Sequence, residues 1–168
     1  MSVTVENAIP ERDAGPISRL IDICRSERRT VLDHYSPEEE AEYIMNLGPR
    51  AAVFVARVDG MFAGFAGIAP RWDYSQRLRH CGEGGTWVMP GFRRRGVATA
   101  LWREGILPFC RDAGFRHVGH FVMAHNERAI AFYENLGFRI CGRYDKLVDW
   151  DGELLDAVEM ELWLEADA

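Results

Sequence analysis

Residues 87–102, WVMPGFRRRGVATALW, join a strand-like run to a helix-like run through a proline and three consecutive arginines. A strand that ends at Met89 and Pro90, followed by a helix that opens at Gly96, predicts a strand–turn–helix unit. The first N–H groups of such a helix have no intrahelical partners and lie at the positive end of the helix dipole. Because Gly96 and Ala98 leave that backbone uncovered, the junction predicts an anion site of the kind that holds phosphate.

Two common phosphate-binding loops are excluded at this junction. The G-x-x-x-x-G-K-[ST] pattern of ATP-type loops is absent, and the three spaced glycines of a dinucleotide fingerprint are missing. The net charge of -6 argues against nucleic-acid binding, because contacts to a phosphate backbone require a basic face. A local anion site and a solvated basic turn without a ligand are the interpretations that remain.

Hydrophobic periodicity predicts an ordered set of strands and helices around the junction. Alternating or apolar runs predict strands in VTVENAIP, in AAVFVARVDGMFAGFAGIAP with a turn at Asp59-Gly60, in GEGGTWVM, in FRHVGHFVM, in FRICGRYDKLVDW and in LLDAVEMELWL. Helical spacing predicts helices over 13–26, over SPEEEAEYIMNL, from 95 or 96 to about 113, and over NERAIAFYENLGF. Antiparallel strands come first and strand–helix–strand units follow, which predicts a mixed α/β layer with helices covering the sheet.

Length and cysteine usage predict a simple organisation. The 168 residues are expected to form one domain, 1–168, with a single core. The four cysteines show no C-x-x-C pair and no metal-ligand spacing, which is typical of reduced, buried thiols; they are Cys24, Cys81, Cys110 and Cys141. No signal-peptide pattern is found, and no apolar run approaches the roughly 20 residues that span a bilayer. We therefore expect a cytoplasmic protein with no membrane partner.

The junction and a second segment together resemble the GNAT superfamily of N-acetyltransferases. The family signature Gln/Arg-x-x-Gly-x-Gly/Ala stands here as Arg93-Arg94-Arg95-Gly96-Val97-Ala98. The segment NERAIAFYENLGF is similar to the family helix Asn-x-x-Ala-x-x-x-Tyr-x-x-x-Gly-Phe, with matches at Asn126, Ala129, Tyr133, Gly137 and Phe138. The resemblance implies an α/β (α+β) fold of GNAT type, a mixed, mostly antiparallel central sheet of about six to seven strands flanked by about four helices.

The resemblance also implies acetyl-CoA, or a close acyl-CoA, as the acyl donor, and no metal. Backbone amides from about Arg94 to Thr99 would hold the pyrophosphate, and the strand end at Val88 would hydrogen-bond the pantetheine arm like an added strand. A family β-bulge near this point separates two parallel strands and makes the slot for that arm. The residues predicted to bind the donor are Val88, Met89, Arg93, Arg94, Arg95, Gly96, Val97, Ala98, Thr99, Asn126 and Tyr133.

Two side chains are predicted to be catalytic. Tyr133 matches the position of the family's general acid, and a phenol with a pKa near 10 can donate a proton to a departing thiolate. Glu83, five residues before Val88, matches a glutamate of phosphinothricin-type acetyltransferases and is the predicted base, acting directly or through a water. The structural alternatives are a packing aromatic for Tyr133 and an exposed strand-edge carboxylate for Glu83.

Three histidines lie in or just after the strand FRHVGHFVM. They are His117, His120 and His125, and none has metal-ligand spacing. A proton relay through His117 and His125 is one interpretation, and satisfied strand or surface histidines are the other.

The acceptor site of this fold lies against the first helices, the Glu83 strand and the last hairpin. The corresponding segments are rich in aromatic and acidic residues, which suits a small amine or an amino acid derivative. The predicted acceptor contacts are Tyr35, Trp72, Tyr74 and Glu83. A second interpretation is that arginines of the segment RWDYSQRLRH pair with an acceptor carboxylate, namely Arg71, Arg77 and Arg79. The residues themselves do not decide between these two interpretations of the acceptor site.

The resemblance therefore predicts an acetyl-CoA-dependent N-acetyltransferase. Its acceptor would be a primary amine of a small molecule, such as an amino acid derivative or a polyamine, acetylated by direct transfer in a ternary complex. The alternatives are a protein or peptide N-terminal acetyltransferase, a non-catalytic acyl-CoA-binding domain, and a protein–protein adaptor. A homodimer formed through the C-terminal strands is compatible with the family.

Overall fold

One seven-stranded sheet runs through the computed structural model, which describes residues 2–165. Its strands are β1 (Val3–Asn7), β2 (Ala52–Val58), β3 (Met61–Pro70), β4 (Cys81–Val88), β5 (His117–Met123), β6 (Arg139–Trp150) and β7 (Glu153–Trp163). The helices are α1 (Pro10–Ser26), α2 (Pro37–Met45), α3 (Val97–Ala100), α4 (Leu107–Asp112) and α5 (Glu127–Asn135). The strand order is β1-β2-β3-β4-β5-β7-β6. The element order and the mixed sheet confirm the predicted fold class.

The β4–β5 pair is parallel, whereas every other neighbouring pair in the sheet is antiparallel. The parallel pair extends over three residue pairs, from Cys81 with His117 to Glu83 with Gly119. β4 continues to Val88 and β5 to Met123 without further pairing to each other. The two strands therefore separate beyond Glu83 and leave an opening within the sheet.

The opening does not come from a bulge between β3 and β4. Their register runs without a shift from Gly64 with Val88 to Pro70 with Gly82. The expected bulge therefore does not appear as a register shift in that pair. The expected separation of the two parallel strands is present, and it makes the slot.

Two apolar layers hold the helices to the two faces of the sheet. On one face α1 and α2 pack over β2 and β3, through side chains that include Ile17, Leu20, Ile21, Ile44, Val55 and Phe65. On the other face the helices from Val97 onward cover the sheet, through side chains that include Leu101, Trp102, Val118, Phe138 and Met160. Within residues 2–165 no helix combines the length and the apolar character needed to cross a bilayer.

Local sequence signals account for most element ends. Ser36 and Glu39 form a capping box at the start of α2, and Asn126 caps α5 by accepting from the Ala129 N–H. The hairpin turns Asp59-Gly60 and Asp151-Gly152 both have positive φ at both residues, as two-residue hairpins require. These ends agree with the predicted ones.

The helix that follows the arginine junction is less regular than its periodicity predicts. α3 continues into a π-helical segment, Leu101–Ile106, and then directly into α4. Pro108 has no N–H to donate to the carbonyl of Glu104, and its ring would clash with that carbonyl in an α-helix. The wider turn before Pro108 relieves this conflict.

Asp13 is a fully buried carboxylate that ties the start of α1 to β2. It accepts hydrogen bonds from the Ile9 N–H at 2.8 Å, from Arg12 at 2.9 and 3.0 Å, and from Arg57. Burial by itself would raise the pKa of Asp13, but the bonds from Arg12 and Ile9 and the charge of Arg57 outweigh it and lower the pKa. The ionised form of Asp13 is therefore part of the folded state.

Replacing Asp13 with Asn is expected to lower the free energy of unfolding by about 3 kcal/mol at neutral pH, because the two guanidinium groups lose a buried counter-charge. Because the pKa of Asp13 is lowered on folding, its stabilising effect is present above its ordinary pKa and is lost as the pH falls through the folded value. Urea unfolding at neutral and acidic pH measures both effects. Asp33→Asn, at an exposed position, is the matched control. Equal stability of the two variants would contradict the expectation.

Candidate functional site

A cavity of about 780 Å³ lies at the opening between β4 and β5. Its walls come from α1, α2 and the segment that joins them, from β3, β4 and β5, and from α5. Four residues predicted to be functional line it: Tyr35, Glu83, Asn126 and Tyr133. The remaining predicted donor-binding residues lie outside the cavity lining. Val88 ends β4, and the others follow it in the junction: Met89, Arg93, Arg94, Arg95, Gly96, Val97, Ala98 and Thr99.

The end of β4 offers unpaired backbone groups toward the opening. The Met89 N–H donates to the Ala63 carbonyl at 2.9 Å, so Met89 bonds on the β3 side. Neighbouring positions of an antiparallel strand direct their N–H and C=O groups to opposite edges. Thr86 and Val88 therefore present theirs on the edge from which β5 has separated, where the Val88 carbonyl already accepts a hydrogen bond from Arg93 and the Val88 N–H is free among the described residues. A ligand with an extended chain can pair with such an edge as an added strand does.

The junction has the backbone geometry of an anion site. Arg94 and Gly96 are both left-handed, with φ of 62° and 77°. Left-handed residues in such a turn direct successive N–H groups toward one side, which makes a concave anion site. Gly96 is also the N-cap residue of α3, whose helix continues unbroken to Asp112.

The Arg93 side chain makes its hydrogen bonds within the protein. Its guanidinium pairs with Glu27 at 2.9 and 2.6 Å, and its Nε donates to the Val88 carbonyl at 3.1 Å. The hydrogen bond with Glu27 is the main reason why the pKa of Arg93 is raised. Arg93 thus fastens the end of β4 to the end of α1. Arg94 and Arg95 are exposed and form no ion pair with the described residues.

Tyr133 lies buried where α5 meets the cavity. Its hydroxyl donates to Oγ1 of Thr86 at 3.5 Å, and the same oxygen accepts a hydrogen bond from Nε1 of Trp102. Burial raises the pKa of Tyr133 to about 12, against the opposing effect of the Thr86 hydrogen bond. The phenol therefore keeps its proton at neutral pH and is able to act as an acid. Thr86 was not among the predicted residues; its place two residues before Val88, on the same edge of β4, is the signal that could have found it.

His120 is the histidine that lines the cavity. Its ring centroid is 4.1 Å from that of Tyr133, and both of its ring nitrogens are buried without a hydrogen-bond partner among residues 2–165. Burial, with a smaller effect of the Arg71 charge, lowers the pKa of His120 to about 4, so the ring is neutral at neutral pH. His117 instead contacts Glu161 at 2.9 Å, and His125 is exposed. Neither lines the cavity, which removes the support for a relay through these two.

Glu83 stands at the last residue pair between β4 and β5, exposed to the cavity. Desolvation by its surroundings raises the pKa of Glu83, while the Arg71 charge lowers it and the Glu159 charge raises it. Arg71 is paired with Glu159, which also accepts from the Tyr144 hydroxyl at 3.3 Å. A Cβ at Gly119 would collide with the Arg71 guanidinium, so the glycine makes room for this pair. A carboxyl with a raised pKa is a better base near neutral pH.

The predicted acceptor contacts divide into two groups. Tyr35 and Glu83 line the cavity, whereas Trp72 and Tyr74 do not. The Trp72 ring packs against the Arg71 guanidinium at 4.6 Å, and Tyr74 is 81% exposed. These two residues lie in the polar segment between β3 and β4 and do not roof the cavity.

A family model described as the acetyltransferase (GNAT) family matches residues 17–138. This range is more than half of the chain. Uncharacterized N-acetyltransferases from Mycobacterium bovis and Mycobacterium tuberculosis are 33% identical over 102 residues, which cover 61% of this chain and 60% of each relative. The match thus spans less than two thirds of the length of these curated relatives.

Solved structures share the whole arrangement at low identity. A structure described as a phosphinothricin N-acetyltransferase is 20% identical with a TM-score of 0.86, covering 98% of this chain and 100% of that chain. A Salmonella typhimurium protein described as an acetyltransferase, solved with its cofactor acetyl-CoA, is 19% identical with a TM-score of 0.86, covering 100% of this chain and 97% of that chain. Both matches confirm the fold that the sequence motifs implied.

Replacing Gly96 with Ala is expected to lower the free energy of unfolding by about 1 kcal/mol, because a side chain is disfavoured at φ of 77°. Relaxation of that strain would also move the N–H groups of the junction and weaken the binding of inorganic pyrophosphate. The measurement is the shift of the thermal midpoint with added pyrophosphate. Gly91→Ala is the matched control, since a Cβ has open space at both positions and the φ of Gly91 is not positive. Unchanged pyrophosphate binding in Gly96→Ala would contradict the anion site.

Proposed function

Because the chain belongs to the acetyltransferase (GNAT) family, we propose that it transfers the acetyl group of acetyl-CoA to the primary amine of a small molecule. The observation that carries the proposal is the cavity between β4 and β5, which has Glu83 and Tyr133 on its walls and the free edge of β4 beside it. The proposed transfer is direct, within a ternary complex; both proton-transfer groups line one cavity, and no cysteine is among the described residues that line it.

The residues around the opening fit a donor with an extended arm and a pyrophosphate. The free edge at Thr86 and Val88 would pair with the pantetheine arm. The backbone of Arg94 to Thr99 would hold the pyrophosphate, aided by the exposed charges of Arg94 and Arg95. The acetyl-CoA in the Salmonella typhimurium structure supports this choice of donor. When bound, acetyl-CoA supplies the thioester whose C–S bond breaks as the new C–N bond forms.

Two proton transfers follow from the positions of the carboxyl and the phenol. Glu83 takes one proton from the acceptor ammonium and releases it to solvent, which leaves the nitrogen lone pair free to attack. Tyr133 donates its proton to the departing sulfur and regains one from the nitrogen, which loses a second proton as the amide forms. Thr86 orients the phenol through its hydrogen bond. The neutral ring of His120 adds no charge that would compete for either proton.

The charges near the cavity favour an amine acceptor over one recognised through a carboxylate. Arg71, which the sequence left as a candidate for pairing with a carboxylate, is engaged by Glu159 and does not line the cavity. Arg77 and Arg79 are exposed and also lie outside the lining. A cavity of about 780 Å³ has the size of a small-molecule site, which supports a small acceptor.

Replacing Tyr133 with Phe is expected to lower kcat about 100-fold with little change in KM, because the departing thiolate loses its proton donor. Thiol release from acetyl-CoA, measured over a panel of amines, gives both constants. Tyr74→Phe removes a hydroxyl outside the cavity and is expected to leave both unchanged. Full activity of Tyr133→Phe would remove the phenol from the mechanism. Acetyl-CoA that binds without any turnover would instead favour a non-catalytic binding domain.

The acidic limb of kcat/KM is expected to lie above pH 4.5, the ordinary pKa of a glutamate, because the pKa of Glu83 is raised. Activity falls as the pH drops through that raised value, since the protonated carboxyl cannot accept a proton. Glu83→Gln is expected to remove this limb and to lower kcat/KM about 100-fold. Arg71→Gln is expected to move the limb to higher pH, because Arg71 lowers the pKa of Glu83. A limb that is identical in all three proteins would exclude Glu83 as the base.

A further inference from the structure

Glu40 is a buried carboxylate on α2 that faces the cavity without a partner. It is 8% exposed, and its carboxyl takes part in no hydrogen bond or ion pair with the other described residues. The carboxyl oxygens of Glu40 are not among the fully buried polar atoms, so they keep some solvent exposure. The residue lines the cavity, which is where we infer that exposure to be. Desolvation, with a smaller effect of the Glu39 charge, raises the pKa of Glu40. A buried and unpaired carboxylate destabilises a fold, so its place at a cavity indicates a cationic ligand.

The side chains around the cavity leave its negative charge uncompensated. The acids that line the cavity are Glu39, Glu40, Glu42 and Glu83. Among the described residues, the basic side chains that line it are Arg29 and His120. The Nε of Arg29 lies 3.7 Å from a carboxylate oxygen of Glu27, so Glu27 partly neutralises the Arg29 charge. His120 is neutral at neutral pH.

Glu40 and Glu83 stand in different surroundings. Glu40 belongs to α2 and is affected by the neighbouring Glu39, whereas Glu83 belongs to β4 and is affected by Arg71 and Glu159. Much of the remaining wall is apolar, with side chains that include Ile17, Ile21, Val53, Phe65 and Trp87. The cavity therefore has two carboxylates on separate walls and an apolar surface that suits a methylene chain.

We propose that the acceptor is an alkyl diamine or polyamine, whose reacting nitrogen lies at Glu83 and whose second ammonium is bound by Glu40. The inference rests on the proposed function, since it names the class of acceptor for that same site. Tyr43, whose ring also lines the cavity, adds a face on which the second ammonium can lie. Glu40 is thus a residue for specificity and takes no part in the proton transfers.

The test compares diamines with monoamines on three proteins. Calorimetric titration in the presence of CoA measures the binding of putrescine, cadaverine and spermidine, and of butylamine and pentylamine, to the wild type, Glu40→Gln and Glu38→Gln. We expect the wild type to bind at least one of the polycations tenfold or more tightly than the monoamines. Glu40→Gln is expected to lose that preference without changing monoamine binding, and Glu38→Gln, at an exposed position on the same helix and outside the cavity lining, to keep it. A wild type without the preference, or a Glu40→Gln that retains it, would overturn the proposal.

Turnover on the same proteins separates this inference from the proposed function. Diamine binding that depends on Glu40, without consumption of acetyl-CoA, would uphold the inference and refute the proposed function. Consumption of acetyl-CoA with diamines and monoamines alike, equally affected by Glu40→Gln, would refute the inference and uphold the function. In the expected case Glu40→Gln raises KM for the diamine tenfold or more and leaves kcat nearly unchanged.

The stability of Glu40→Gln provides a second readout that needs no ligand. If the carboxylate is unpaired in the folded state, its neutral replacement is expected to unfold at the same or a higher urea concentration at neutral pH. Glu38→Gln is expected to leave the midpoint unchanged. A clear loss of stability in Glu40→Gln would show that Glu40 has a structural partner, and would overturn the inference.

Discussion

The separation of two parallel strands is the constraint on which the rest of this structure depends. β4 keeps its pairing with β3 along its whole length, and β5 keeps its pairing with β7, so both remain strands after they separate. The edges that they would have shared are left with backbone N–H and C=O groups that need partners. Side chains of β4, β5 and α5 surround those groups, which places polar chemistry beside a free strand edge. The site is thus a consequence of the sheet's topology, and the helices enclose it.

Charged side chains serve two purposes that the structure keeps apart. Asp13 with Arg57 and Arg93 with Glu27 join elements that are distant in sequence, and their charges are paired within the protein. At the cavity, by contrast, Glu40 and His120 have no such partner among the described residues. Pairing within the fold stabilises it, whereas a buried group without a partner lowers stability and gains from a ligand. Paired charges are therefore found in the scaffold, and buried groups without a partner are found at the site.

Local patterns predict the elements well, because periodicity, caps and Asp-Gly turns act over a few residues. The same is true of the junction at Gly96, whose small residues and charges are adjacent in the chain. The role of Arg93 could not be predicted, since its partner Glu27 is 66 residues away. Glu40 lies in a run of acids that is typical of a solvated helix face, and its burial arises only when α2 packs over the cavity. The position of Trp72 outside the cavity lining could not be predicted, because the segment after β3 has no periodicity to orient its side chains.

The free edge of β4 is made of main-chain atoms, which every amino acid possesses. Sequence drift that spares the side chains of Glu83 and Thr86 on that strand, and Gly96 beyond it, therefore changes the donor half of the site little. In the proposed arrangement the acceptor half is made of side chains on α2 and its neighbours, so substitutions there would alter what the cavity recognises. A lineage with this fold can thus inherit one reaction and acquire new substrates through a few changes on a single helix. For engineering, it follows that α2 is the element to randomise and β4 the element to leave intact.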